Sequence, residues 1–151
     1  TDGATIKQNP SPLGGSWGVV AVEGEEIVWE KSGVVRPRDI GMPKISNNFM
    51  EFYAALQALE RMSDGWSGII STDSTTTYYR LKNPWAKFNG IPEAYVDRFH
   101  FARSRMGDYT VVLLYGHPTK LELEAGFKKD KPVSKYNVLA DRLCKEAAFH
   151  G

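Results

Sequence analysis

The sequence is most informative first in what it lacks. One cysteine, Cys144, occurs in 151 residues, so no disulfide can form within the chain. That usage fits a reducing, cytoplasmic setting. No apolar run approaches the roughly 18–20 residues that a membrane span requires, so no membrane partner is expected. There is almost no net charge: 19 Lys and Arg against 18 Asp and Glu give +1. Taken alone, that total argues against gripping nucleic acid by bulk electrostatics. Internal repeats and low-complexity tracts are missing, and only three histidines occur, at 100, 117 and 150.

What is present describes an ordinary globular domain. Hydrophobic residues make up 42% and charged residues 25%, which excludes a disordered tail, a collagen-like fibre and a disulfide scaffold. The length suits one domain with a core of its own. The charge total conceals a division: residues 1–79 carry a net −4 and residues 80–151 a net +5.

Periodicity gives the order of elements. Residues 15–24 and 26–35 are β-rich runs joined at Gly24-Glu25, a hairpin signal. Residues 36–45, with Gly and two Pro, form a loop. Ser46-Asn47-Asn48 then opens an amphipathic helix in which Phe49, Phe52, Tyr53, Leu56, Leu59 and Met62 share a face. An apolar strand follows over 67–73, then a short helix over 74–82, stopped by Asn83-Pro84. A further helix spans 92–106, a strand 109–115 and a last helix about 135–149. The intervening 116–134 reads as a long charged connection. This order predicts a mixed α/β or α+β layered fold.

Four carboxylates stand out by position. Asp2 lies in Thr-Asp-Gly, Glu51 in the first turns of the helix after Ser46, Asp73 at the end of an apolar strand, and Asp141 early in the last helix. Taken singly, each has an ordinary structural explanation as a turn former, cap or solvated charge. Together their surroundings resemble a family. TDGA (1–4), GSWGVV (15–20), SNNFMEFYAALQALE (46–60), STDS (71–74), YGH (115–117) and NVLADRL (137–143) occur in the order of type 1 ribonuclease H. The resemblance covers nearly the whole chain, and its specific part is the SNN-x-M-E helix followed by a strand ending in TDS.

The resemblance implies a single ribonuclease H-like domain over 1–151: a five-stranded mixed sheet flanked by helices, three strands antiparallel and two parallel. By motif, Asp2, Glu51, Asp73 and Asp141 would be metal ligands, with His117 a mobile catalytic residue beside them. His100 and His150 match no motif and are read as incidental. Gly3, Asn47 and Asn48 would face the 2′-hydroxyls that separate RNA from DNA, with Ser74 and Thr75 as further contacts. Arg80, Lys82, Trp85, Lys87 and Lys120 would meet phosphates and the backbone. The implied activity is endonucleolytic hydrolysis of the RNA strand of an RNA/DNA hybrid, leaving 5′-phosphate and 3′-hydroxyl ends.

Chemistry supplies a separate reason for the acidic cluster. Four crowded carboxylates repel, so some must protonate or a cation must neutralise them. An all-oxygen donor set favours Mg²⁺, with Mn²⁺ as a substitute, and two such ions can carry phosphodiester hydrolysis without a covalent intermediate.

Three features depart from the family pattern. Only Thr1 precedes Asp2, so the first strand is either built from residues 1–6 or completed by residues upstream. The connection from His117 to Asp141 is longer than the family's, and the stretch between Asp73 and Tyr109 lacks a long Trp- and Lys-rich handle. The expected state is a monomer or a domain of a larger polypeptide. Alternatives are a catalytically silent or DNA-directed module of the same fold and, more distantly, a hydrolase using Thr1 as an N-terminal nucleophile.

Overall fold

Two small sheets meet beside the first residue of the chain. The structure is a computed structural model describing residues 1–116, 119–128 and 131–150, with the backbone alone at 127, 128, 131 and 150. β1 (Asp2–Thr5), β2 (Gly15–Glu23) and β3 (Glu26–Val35) form an antiparallel sheet in that order. The β2–β3 hairpin turns at Gly24, whose φ of 63° is a left-handed value that glycine accepts without strain. β4 (Gly68–Thr72) and β5 (Tyr109–Leu113) pair in parallel as a second sheet.

The expected five-stranded sheet is therefore corrected to sheets of three and two. All register partners of β1 lie on β2. Its link toward β4 is Thr1, whose ammonium donates to the Ser71 carbonyl at 3.1 Å and whose hydroxyl reaches the same oxygen at 3.4 Å.

α1 (Asn47–Arg61) begins where Ser46 accepts a hydrogen bond from the Phe49 amide at 3.1 Å. The cap is thus Ser46, not the two asparagines that follow. Phe49, Phe52, Leu56 and Leu59 of α1 are fully buried, and they meet Leu81 of α2 (Thr75–Lys82) and Phe99 and Ala102 of α3 (Glu93–Ser104). Ring contacts run on from Phe52 to Phe88 and Phe99, and from Phe49 to Tyr53 and Tyr95. This aromatic cluster fixes α1 against α3 and the 83–90 loop.

The charged connection is more ordered than its composition indicates. It contains α4 (Lys120–Ala125) and the two-residue strands β6 (Phe127–Lys128) and β7 (Lys131–Pro132). Thr119 and Glu122 form a reciprocal capping box, and Gly126 closes the helix with φ 88°. A Thr-x-x-Glu start and a Gly end are local signals that the surrounding charge obscured.

α5 (Lys135–His150) lies on the face of the antiparallel sheet opposite α1. Strand alternation sorts the two faces: Gly3, Gly15 and Trp17 look toward α1, while Asp2, Ser16 and Gly18 look toward α5. Both helices come unusually close. A Cβ on Gly3 would sit 2.2 Å from the Met50 carbonyl oxygen, and one on Gly18 would sit 2.4 Å from that of Ala140. β1 and β2 are clamped between two helix backbones, and the clamp requires glycine at these positions.

Gly18→Ala should therefore push α5 off the sheet and destabilise the protein by about 2 kcal/mol, as overpacked substitutions do. Urea unfolding would show it as a lower midpoint; an unchanged midpoint would mean that α5 accommodates the methyl group freely.

Candidate metal centre

Three of the four singled-out carboxylates converge. Asp2 stands at the start of β1, Glu51 in the second turn of α1, and Asp73 just beyond β4 where the chain turns into α2. One oxygen from each lies within 4.8 Å of the other two. Each is placed by a different device. Asp2 is held in the β1–β2 ladder opposite Gly18 and is only 5% exposed. Glu51 accepts a hydrogen bond at Oε1 from the Gly3 amide, 3.2 Å away. Asp73 follows Thr72, whose hydroxyl accepts from the Ser74 amide at 3.1 Å, while Ser74 itself caps α2.

The electrostatics are those of crowded acids withdrawn from water. Burial, then the Asp73 charge, pushes the Asp2 carboxyl up to about 8. Glu51 is raised well above the ordinary range, again by burial first and then by Asp2 and Asp73. Its Oε2 is buried and finds no donor among the described residues. Burial likewise raises the Cys144 thiol, to about 12, and the thiol lies 3.1 Å from the Ser16 hydroxyl. Cys144 is thus an inert core group beneath the cluster.

Asp141 is brought beside the cluster but not into the group of three. Its carboxyl comes within hydrogen-bonding reach of Asp2 and helps to raise it. Its Oδ2 also pairs with Lys145 one turn along α5, at 3.0 Å. His117 lies outside the described residues.

The residues matched to substrate contacts divide. Gly3 lies against Glu51. The Asn47 carboxamide oxygen is occupied by the Thr5 amide and hydroxyl, at 2.9 and 2.8 Å, so it ties α1 to β1. Asn48 is exposed at the same helix start, as is Thr75 in the first turn of α2. Arg80 is the clearest correction. It is 5% exposed and donates to the carbonyls of Lys87 and Asn89, with its guanidinium over the Phe88 ring. A side chain that folds the 83–90 loop in this way is not an open phosphate contact. Lys82 stands over Tyr78 and donates to its hydroxyl, 3.0 Å away. Trp85 is 88% exposed, and Lys87 and Lys120 are also at the surface.

Two site neighbours were not singled out from sequence. Asn137, 5% exposed on α5, donates from Nδ2 to Asp73 Oδ2 at 3.4 Å. Gly116 packs so closely that a Cβ there would lie 2.7 Å from the same oxygen. The signal for Asn137 was available in the N-x-x-x-D spacing of NVLADRL, which stacks Asn137 and Asp141 one helical turn apart. Thr1 has its nitrogen and hydroxyl both directed to the Ser71 carbonyl, so it connects the strand carrying Asp2 to β4.

No family model matches the sequence, and no curated protein matches it. Solved structures do match. RNase H1 from the halophilic archaeon Halobacterium salinarum aligns at a TM-score of 0.69 and 21% identity, over 99% of this chain and 95% of that one. LC11-RNase H1, solved in complex with an RNA/DNA hybrid, aligns at 0.67 and 18% identity, over 99% and 94%. The N-terminal RNase H domain of a Mycobacterium tuberculosis protein, solved as a maltose-binding-protein fusion, aligns at 0.64 and 15% identity, over 99% and 90%. The three-plus-two strands, the clamping helices and the acidic cluster are thus arranged in the ribonuclease H fold.

Proposed function

We propose that this chain is a ribonuclease H: a metal-dependent endonuclease that hydrolyses the RNA strand of RNA/DNA hybrids, leaving 5′-phosphate and 3′-hydroxyl ends. The observation that carries this reading is the partly buried Asp2–Glu51–Asp73 cluster within a ribonuclease H fold. A solved structure of that fold in complex with an RNA/DNA hybrid supports the choice of substrate.

The donor set fits a hard divalent cation. All its atoms are carboxylate oxygens, and Glu51 Oε2 is a buried acceptor with no donor among the described residues. Asp2, Glu51 and Asp73 would hold the cation, with Asp141 completing the set for a pair of Mg²⁺ ions and Mn²⁺ as a substitute. When bound, such ions supply Lewis-acid chemistry to water and to the scissile phosphate. The protein's own residues do the rest. The Gly3 amide fixes the Glu51 carboxylate, and β1, clamped between α1 and α5, keeps Asp2 from relaxing away from its neighbours. His117 would carry a proton near this edge. Gly3, Asn48, Ser74 and Thr75, with whatever donor capacity Asn47 retains, would read the sugar edge. Lys82, Lys87 and Lys120, with exposed Trp85, would meet the backbone.

A reducing cellular setting suits the single thiol. The chain would act as a monomer or as a domain of a larger polypeptide.

Purified protein with Mg²⁺ should cut the RNA strand of a hybrid, and EDTA should stop it. Asp73→Asn should lower the rate by at least about 100-fold, a loss typical of disturbing a metal site, while the far-UV circular dichroism stays that of the unaltered chain. Equal cutting of duplex DNA, or cleavage indifferent to EDTA, would sink the assignment.

The raised carboxyls also make the metal-free fold sensitive to pH. Asp2 and Glu51 hold their protons more tightly folded than unfolded. Their contribution to stability is fully present below about pH 4, their unfolded range, and is lost as pH rises toward about 8. The metal-free protein should thus melt lower at pH 8 than at pH 5, and Asp2→Asn should recover more than about 1 kcal/mol of that loss. Mg²⁺ at a hundred times its Kd should raise the pH 8 melting temperature by about 5–10 °C and do little at pH 5. Calorimetric scans at both pH values check this; a metal shift larger at pH 5 would contradict it.

A further inference from the structure

α5 is packed on the antiparallel sheet, yet Asn137 reaches from it to the end of β4 in the other sheet. The two sheets are also joined through Thr1 and the Ser71 carbonyl. The Asn137 carboxamide therefore spans the seam at which the carboxylates assemble. Its Nδ2 donates to Asp73 Oδ2 from one side, and Gly116 confines that oxygen from another. Its Oδ1 is buried and has no hydrogen-bond partner among the described residues. An orphaned carbonyl at 5% exposure is costly unless some occupant brings a donor.

The chemistry of an amide suits this place. A Lys or Arg would neutralise Asp73 and compete with a cation, whereas a carboxylate would add to the repulsion. A neutral donor occupies one oxygen of Asp73 while leaving its charge and its other oxygen available. The Asn137 carbonyl, without a partner among the described residues, would be able to accept a hydrogen bond from water, which Mg²⁺ characteristically retains when bound.

We propose that Asn137 is a positioning residue: it orients Asp73 across the seam between the sheets and thereby sets the affinity of the acidic cluster for a divalent cation. The inference rests on the metal-centre reading above, and it deepens that reading by assigning a supporting role to a residue of α5. Asn137 is not itself a ligand in this scheme. Its effect passes through Asp73.

The test is Mn²⁺ titration calorimetry on the metal-free full chain, with Asn137→Ala and the space-filling Asn137→Leu. Both variants should bind Mn²⁺ about 10-fold more weakly, as loss of a residue that supports a ligand typically does. Their metal-free melting temperatures should remain within about 3 °C of the unaltered chain, a shift corresponding to about 1 kcal/mol. In hybrid cleavage, kcat at low Mn²⁺ should fall with KM for the hybrid unchanged, and raising Mn²⁺ should restore it. Unaltered Mn²⁺ affinity in both variants overturns the inference, as does weakened affinity accompanied by a matching loss of metal-free stability. Failure of the unaltered chain to take up Mn²⁺ overturns it as well. Should the chain bind Mn²⁺ and the variants lose it while no hybrid is cut, the positioning role stands and the proposed substrate falls.

Discussion

Mutual repulsion among three carboxylates, each with an oxygen within 4.8 Å of the others, is the constraint around which this structure is organised. Such groups lower their energy by moving apart, by protonating or by turning outward to water. The fold opposes the first and third of these. Asp2 is fixed by strand pairing, and its strand lies between helix backbones that approach Gly3 on one face and Gly18 on the other. Glu51 is tied to the Gly3 amide and Asp73 lies between Gly116 and Asn137. Protonation remains, and the raised Asp2 and Glu51 carboxyls express it. A cation is the other way to satisfy the same electrostatics, so metal affinity and apo-protein strain arise from one arrangement.

The large aromatic core is best understood as the anchor for this arrangement. α1 has to deliver Glu51 to within hydrogen-bonding distance of a strand amide, and close docking of a helix against a sheet leaves little room for error. Phe49 and Phe52, fully buried one turn or less from Glu51, lock its rotation and height through their contacts with Tyr53, Tyr95, Phe88 and Phe99. The position of one carboxylate is thus set by hydrophobic packing that has no chemistry of its own.

Much of this was legible in the sequence because the chemistry-bearing residues sit at element boundaries with strong local signatures. Asp73 ends an apolar run, Glu51 follows an evident helix start, and Asp2 lies beside the glycine that must pass close to a helix. What escaped was decided by tertiary context. Arg80 has the sequence appearance of a surface cation, yet the 83–90 loop folds over it and supplies carbonyl partners. Asn47 has the appearance of a cap, yet Ser46 caps and Asn47 reaches back to Thr5. The five-stranded sheet that the resemblance implies divides into three and two because, among the described residues, β1 pairs only with β2, a long-range register that no local pattern encodes. α4 was hidden for the opposite reason: its capping box was readable, but six residues between charged segments do not declare an apolar face.

The near-cancellation of charge also takes on structure. The acidic excess of residues 1–79 includes Asp2, Glu51 and Asp73, which are drawn together and partly buried, whereas most of the basic excess of residues 80–151 is spread over helix surfaces and loops. A concentrated negative charge and a dispersed positive one cancel in the total but not in space. Near the cluster the field attracts divalent cations and repels a polyanion. Cations held there would offset that local negative field while the distant lysines remain as they were. A nucleic-acid backbone would then meet less repulsion at that edge. Arg80 sharpens the point: its guanidinium is held by carbonyls of its own loop and is not presented to an approaching backbone.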